Sequence, residues 1–310
     1  MNHILITIDV EDWFQVENFK QYIPFSSWDS YELRVEKNTH KIFDLLDSQQ
    51  SNPTNPKATF FILGWIAERL PHLVREIHAR GHEVASHGYT HNLCNQQSHE
   101  ELKTDLADSK KMLEDIISAP IYGYRAPSFS IDKDILKIIQ DCGYLYDSSY
   151  NSFSMHGRYG QLSLSQNGRK GIAFQIPKTD HATSTKASII NHQSSILYEL
   201  PISNIKLWNH IFPFGGGAYF RLIPCFLFRM GVKSILNSEK TYLLYLHPWE
   251  IDPEQPRVNN ASTFFKFRHY VNLNKTASKL ASFIETFKEC GFITCHHYLE
   301  QTVTSNPSNL

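Results

Sequence analysis

A chain of 310 residues, 41% hydrophobic and 20% charged, has the make-up of a folded globular protein, which excludes disordered, collagen-like and coiled-coil readings. Thirty Lys and Arg against 31 Asp and Glu leave a net charge of -1, so no global field favours nucleic acid and any charged site must be local. No apolar run approaches the roughly 20 residues that span a bilayer, so no transmembrane segment is expected.

The start of the chain, Met1-Asn2-His3, shows no basic region, apolar stretch or small-residue cleavage site of a secretory signal. Cysteines at 94, 142, 225, 290 and 295 form no CxxC pair, and they read as reduced thiols of a cytoplasmic protein.

Ile4 to Ile8 is the first expected strand. Val35, Thr39, Ile42, Phe43 and Leu46 recur at helical spacing, and the strand Ala58 to Ile62 follows a Pro-containing loop. Pro71 suits the first turn of a helix carrying Leu73, Val74 and Ile77, and Gly81 suits its C-terminal cap before a strand at His82 to Ser86. A longer helix is marked by Leu102, Leu106, Met112, Leu113, Ile116 and Ile117 and stopped by Pro120. Ile121 to Tyr124 is the next strand, residues 132–142 a helix, and Tyr144 to Tyr146 another strand.

From about 150 to 235 the periodicity breaks down and loops are expected. Order returns with a strand at Tyr242 to Leu246, a helix near Lys275 to Lys288 and a strand at Phe292 to Cys295. The alternation of strands and helices predicts a single α/β domain with a barrel-like parallel sheet over 1–300, a loop-rich insertion at about 150–235, and a flexible tail at 301–310.

Four clusters follow predicted strands, at the end of the sheet where parallel α/β folds build their sites. Asp9-Val10-Glu11-Asp12 packs three carboxylates into four residues, and such repelling charges persist most easily beside a cation. An acidic turn or helix cap is the competing reading. His87 and His91, at i and i+4, can face one way and supply two imidazole ligands. With one carboxylate they would make a facial metal set with open positions. Arg125 can hold an Asp ionised, and Pro127 fixes a turn presenting backbone N–H groups. His247, after the last long strand, can act as a general acid beside Trp249.

In this order the clusters resemble the polysaccharide deacetylases of carbohydrate esterase family 4. Thr7-Ile8-Asp9 is similar to the family's first motif, His87 to His91 to its HxxxH, Arg125-Ala126-Pro127 to its Arg–Pro motif and Leu246-His247 to its last. The resemblance covers roughly residues 3–300. Segments 214–221, 246–252 and 267–272 resemble the branch encoded beside bacterial exopolysaccharide and exosortase loci, which is usually cytoplasmic and implies association with exopolysaccharide biosynthesis machinery.

The resemblance implies a distorted (β/α)7 barrel, a divalent metal, zinc by the softness of its ligands, and an N-acetylated glycan substrate. It makes Asp9 the catalytic base, Arg125 the residue orienting it, His87 and His91 metal ligands, and His247 the general acid. Val10 stands where the family has a second Asp, so Glu11 or Asp12 must be the metal carboxylate. Strand alternation puts Glu11 on the face of Asp9, whereas Asp is the commoner ligand in the family. Ser128 stands where an aromatic usually follows the Arg–Pro motif, with Phe129 next, and residue 128 would give the oxyanion N–H. Asp147 represents the fourth motif and would tune His247. Tyr89, Phe129, Trp249 and Tyr219 offer apolar faces for sugar rings. Two rivals stand beside this reading. One is a related cyclic amide hydrolase, decided by whether 150–235 roofs or lines the site. The other is a non-catalytic carbohydrate-binding protein, which would not need Asp9 and His247.

Overall fold

The structure, a computed structural model, describes residues 1–48, 55–153, 162, 169–176, 196–208 and 210–304. Its first half alternates strands and helices: β1 (His3–Val10), α1 (Val35–Asp47), β2 (Ala58–Ile62), α2 (Gly64–Arg69), α3 (Pro71–Ala79), β3 (Glu83–Ser86), α4 (His99–Ile117), β4 (Gly123–Tyr124), α5 (Lys133–Asp141) and β5 (Tyr146–Asp147). The second half adds β6 (Arg169–Lys170), β7 (Ala173–Ile176), β8 (Leu197–Glu199), β9 (Asn204–Leu207), β10 (His210–Pro213), α6 (Gly217–Leu222), α7 (Cys225–Glu239), β11 (Thr241–Leu246), α8 (Thr263–Tyr270), α9 (Leu273–Thr286), β12 (Gly291–Phe292) and α10 (Cys295–Leu299).

Seven strands run parallel in the order β11-β1-β2-β3-β4-β5-β8, and β7 and β6 extend the sheet antiparallel. The short β12 adds to the start of β1. The sheet curls into a half-barrel, the single-domain α/β architecture expected from the strand and helix alternation.

Strand alternation sorts the side chains. On β1, Ile4, Ile6, Ile8 and Val10 pack under the helices, with Phe60 and Ile62 of β2 and Leu244 and Leu246 of β11. Leu5, Phe61, Ala85, Tyr146 and Leu243 face the barrel interior, and Cys295, Tyr298 and Leu299 of α10 fill its floor. The polar floor contacts are specific: Cys295 N–H donates to Thr59 Oγ1 at 2.9 Å and His296 N–H to Glu83 Oε2 at 3.0 Å. Above that plug the interior becomes polar, with Thr7 and Asp9 continuing the face of Leu5.

Local signals explain most element ends. Pro71 occupies the first turn of α3 and Gly81 follows it at φ 74°. Ser98 and Glu101 form a capping box at α4. The strands around Gly123 are shorter than the apolar runs suggest. Gly123 pairs with Tyr146, whose ring lies where a Cβ on Gly123 would come within 2.1 Å of it, and the ladder runs for two residues. The strand expected at 292–295 stops at Phe292 because Thr294 caps α10, its side chain accepting from His297 N–H.

The expectation of loops over 150–235 is corrected for the described residues, which hold β6 to β10, α6 and most of α7. These strands are two to four residues long, too short to show a period, and α7 exposes Phe226, Leu227 and Met230, which hides its amphipathic pattern. Residues 154–161, 163–168, 177–195 and 209 of that expectation, and 305–310 of the expected tail, lie outside the described residues. Residues 300–304 form one further helical turn. Among the described residues no helix is long and apolar enough to cross a membrane.

Leu243, fully buried on the interior face, tests the packing of the barrel. Leu243→Ala is expected to lower unfolding free energy by about 2–5 kcal/mol through lost burial and a residual cavity, read from urea titration.

Candidate active site

The upper rim of the half-barrel carries the four clusters. β1 ends in a tight turn, Glu11 N–H donating to Asp9 O at 3.0 Å, so Asp9 and Glu11 both stay on the interior side. Asp12 leaves in the opposite direction. Its Oδ2 accepts from the N–H groups of Arg34 at 2.6 Å and Val35 at 2.8 Å, capping α1, and Oδ1 accepts from Trp13 N–H at 2.8 Å. Burial pushes the Asp12 pKa up to about 6, against the pull of those donors.

The two histidines sit on a loop, not a helix. Gly88 at φ 72° and His91 at φ 55° reverse the chain, and Asp105 of α4 holds the turn by accepting from Tyr89 N–H at 2.8 Å. The His87 and His91 rings come to 5.3 Å, and one ligand atom from each of Glu11, His87 and His91 lies within 4.8 Å of the others. His87 Nδ1 lies 2.7 Å from Arg125 O, which fixes it as a donor and leaves Nε2 with a lone pair. Burial lowers the His87 pKa to about 4 and that of His91 well below its usual value, so both rings are neutral, the form that binds metals.

A divalent cation fits this set. Glu11 is 2% exposed; its Oε2 is 3.1 Å from His91 Nε2 yet receives no hydrogen bond, and burial lifts its pKa to about 7. The Oε2 atom is thus a buried acceptor with no donor on it, and two imidazoles with one carboxylate are donors that zinc accepts. Between the two carboxylates left open by the sequence, the geometry groups Glu11 with the histidines and commits Asp12 to α1.

Arg125 is fully buried and makes four hydrogen bonds. Nη1 donates to Asp9 Oδ1 at 2.6 Å and Thr7 Oγ1 at 2.8 Å, Nε to Ser148 O at 2.9 Å and Nη2 to Ser148 Oγ at 2.9 Å, while the guanidinium lies 4.1 Å over the Phe61 ring. Burial opposes ionisation of Asp9, but Arg125, followed by His87 and His247, outweighs it and holds the pKa below the usual value.

His247 ends β11 with Nε2 3.2 Å from Glu11 Oε1 and 3.9 Å from Asp9 Oδ2. Its Nδ1 is 2.7 Å from Glu250 Oε1, and Glu250 Oε2 accepts from Arg221 Nε at 2.6 Å. Burial would lower the His247 pKa, yet the carboxylates of Glu11, Glu250 and Asp9 lift it to about 9. Arg221 is anchored in turn, donating to the carbonyls of Arg268, His269 and Val271.

The expectation that Asp147 tunes His247 is therefore corrected. Asp147 ends β5, separated from β11 by four strands of the sheet, where it accepts from Ser149 Oγ at 2.6 Å and faces Glu199 of β8; Ser149 Oγ accepts in turn from Ala126 N–H at 2.8 Å. Burial raises both carboxyl pKa values, Glu199 well above its usual range, so this pair holds a proton.

The five residues expected to meet the substrate separate. Ser128 and Phe129 line the cleft, both in left-handed backbone at φ 51° and 59°. Trp249 lines it too, but its ring is stacked between His247 at 5.1 Å and His269 at 4.1 Å, so neither face is open to a sugar. Its Nε1 reaches Glu11 Oε1 at 3.3 Å, which makes it a brace for the carboxylate. Tyr89 lies outside the cleft with its hydroxyl on Glu68, and Tyr219 packs edge-on to Phe153.

Glu250, Arg221, His269 and Glu199 were not singled out as site residues from the sequence. Glu250 alone had a local signal, three residues after His247 with Pro between, the spacing of a capping box.

Comparison with known proteins adds to this geometry. Residues 25–146 match the polysaccharide deacetylase model and 148–300 match a domain of unknown function, DUF3473. The chain is 31% identical over 106 residues to a peptidoglycan-N-acetylglucosamine deacetylase of Bacillus cereus, covering 34% of this chain and 47% of that protein. It is 33% identical over 128 residues to the peptidoglycan deacetylase-like protein FGM2 of Gibberella zeae, covering 41% of this chain and 35% of that one. The matches thus span less than half the length of these relatives. A Mycobacterium smegmatis protein assigned as a polysaccharide deacetylase shares the fold at TM-score 0.61 and 18% identity, over 98% of this chain and 91% of its own. The Puue allantoinase does so at 0.60 and 12%, over 97% and 91%. Both of these likenesses are of fold alone. The first half of the chain is thus similar to polysaccharide deacetylases over residues 25–146, and the second half matches DUF3473 over residues 148–300.

Proposed function

We propose that this chain is a divalent-metal-dependent deacetylase that removes acetyl groups from N-acetylhexosamine residues of a bacterial polysaccharide or its lipid-linked precursor. One observation carries the reading: a carboxylate held ionised by a buried Arg and an imidazole held protonated by a buried Glu face each other across a two-histidine, one-carboxylate ligand set. A binding protein has no use for that pairing.

Glu11, His87 and His91 would hold the cation, zinc by its donors, which when bound supplies positive charge to polarise the amide carbonyl and acidify water. Asp9 Oδ2, the oxygen not taken by Arg125 Nη1, accepts the proton of the attacking water. We assign an oxyanion contact to the Ser128 N–H, since the Phe129 N–H is spent on Ala126 O at 2.9 Å. His247 Nε2 then gives its proton to the departing amine, and Glu250, backed by Arg221, keeps the ring oriented and charged. Acetate and a free amino sugar result. The five free cysteines suit a reducing compartment, and we place the enzyme in the cytoplasm beside exopolysaccharide biosynthesis machinery, on the resemblance of segments 214–221, 246–252 and 267–272.

Purified chain incubated with an N-acetylglucosamine oligomer should release acetate, and a chelator should abolish release until metal is restored. Acetate production unaffected by chelation, or none from any of a panel of N-acetylated glycans, would sink the assignment.

Metal content distinguishes the carboxylates. Glu11→Gln, His87→Ala and His91→Ala should each lose bound metal, Asp12→Asn should keep a full equivalent, and Asp9→Asn should keep metal but lose roughly 10²–10⁴ in kcat. A metal-free Asp12→Asn that is folded by circular dichroism would overturn the choice of Glu11.

The alkaline limb of the rate profile reports loss of the His247 proton. Replacing the anionic Glu250 by Gln removes a charge that raises this pKa, so the limb should move to lower pH by roughly one to two units. Asp147→Asn should leave it in place, because its carboxyl contacts Ser149 and Glu199 and not the imidazole. The opposite pattern would restore Asp147 as the tuning residue.

A further inference from the structure

Seven of the twelve exposed large hydrophobic side chains among the described residues fall between Leu207 and Met230. The chain from Leu200 to Ser238 contains no Asp or Glu, where a stretch of that length would hold about four at the overall frequency of 31 in 310. It holds Lys206, Arg221, Arg229 and Lys233 instead. A segment without carboxylates that exposes this much apolar side chain is a specific composition, unlike the scattered exposed Leu or Phe of ordinary surfaces.

The pieces form one ledge. In the β9–β10 hairpin, Ile205 pairs with Phe212 and Leu207 with His210, so all four side chains share a face. That face meets α7 at Gly231, where an added Cβ would come within 2.8 Å of Ile205 Cδ1. One turn earlier on α7, Phe226, Leu227 and Met230 are exposed; Phe226 and Met230, at i and i+4, are each 63% accessible. Trp208 stands at the hairpin turn, 85% accessible. Lys233 is exposed on α7 one turn beyond Met230 and Lys206 is exposed on the opposite face of the hairpin, paired with Ile211, whereas Arg229 is spent on Ser282 and Arg221 on Glu250.

We propose that this ledge docks the protein on an anionic lipid bilayer. The side chains project from a hairpin tip and the first turns of a helix, which suits insertion among headgroups better than receipt of a peptide in a groove. An exposed Trp with nearby Lys is the pairing that interfaces favour. The ledge also adjoins the cleft: Gly217 and Ala218 of α6 line the cleft, and Leu222 at the other end of that helix begins the apolar patch. Docking rests on the surface alone and stands whatever reaction the cleft performs.

The full chain should sediment with vesicles of phosphatidylglycerol and phosphatidylcholine at about millimolar lipid, and far less with phosphatidylcholine alone. The other four tryptophans are 7% exposed or less, so a blue shift of fluorescence on binding reports Trp208. Trp208→Ser combined with Phe226→Ser and Met230→Ser should weaken vesicle binding at least about tenfold while leaving metal content and circular dichroism unchanged. If that variant misfolds, Lys206→Glu with Lys233→Glu decides, with a comparable loss expected on anionic vesicles only. No sedimentation of the wild type, undiminished binding by both variants, or a concentration-dependent dimer abolished by the same substitutions would overturn the proposal, the last making the ledge an interface between two copies. Sedimentation is read without substrate, so an absence of acetate release leaves this result intact and fails the catalytic reading only.

Discussion

A single buried ion pair organises the rim of the barrel. Arg125 has no solvent contact, so its charge must be met inside the protein, and it is met by Asp9, Thr7 and Ser148 in a fixed fork. Those partners come from β1 and the segment after β5, on either side of β4, so the guanidinium ties three parts of the rim to one geometry. Removing one member of such a pair strands the other at a cost of about 3–5 kcal/mol, which makes the geometry of the base inseparable from the fold. His87 joins the same unit through the Arg125 carbonyl, and β3 is thereby registered to the others.

A second unit is built across the cleft by different means. Arg221 grips three carbonyls at the end of α8, accepts Glu250 as counter-ion, and so fixes the carboxylate against which His247 is held. The stack of His247, Trp249 and His269 confines the imidazole in the other direction. Glu11 is the meeting point of the two units, contacted by His91 from one and by His247 and Trp249 from the other. Two rigid frames that meet at one carboxylate leave little freedom in the distances on which proton transfer depends.

What could be read from the sequence followed from local rules. Strand alternation alone put Glu11 on the face of Asp9, and Pro71, Gly81 and Pro120 marked helix ends before any contact was known. Contacts between distant segments were not legible in the same way. Glu250 reaches His247 within one turn, but Arg221 reaches Glu250 from another helix, and Glu199 meets Asp147 across a sheet junction that no spacing encodes. Trp249 looked like an open wall because its neighbour His269 lies 20 positions on. α7 lacked a helical signature for a different reason: its outer face is apolar, so the pattern that normally separates core from solvent is absent there.

The carboxyl pair of Asp147 and Glu199 carries a consequence for the scaffold. Burial raises the pKa of both groups in the folded chain above their unfolded values, so the shared proton favours the folded state at acidic pH and that contribution fades as pH climbs through the raised values. The pair anchors Ser149, which holds the Ala126 N–H just ahead of the turn carrying Ser128. Alkali therefore loosens the loop that lines the cleft in the same direction that it strips the proton from His247. Rising pH thus acts on both sides of the barrel, through residues that do not touch one another.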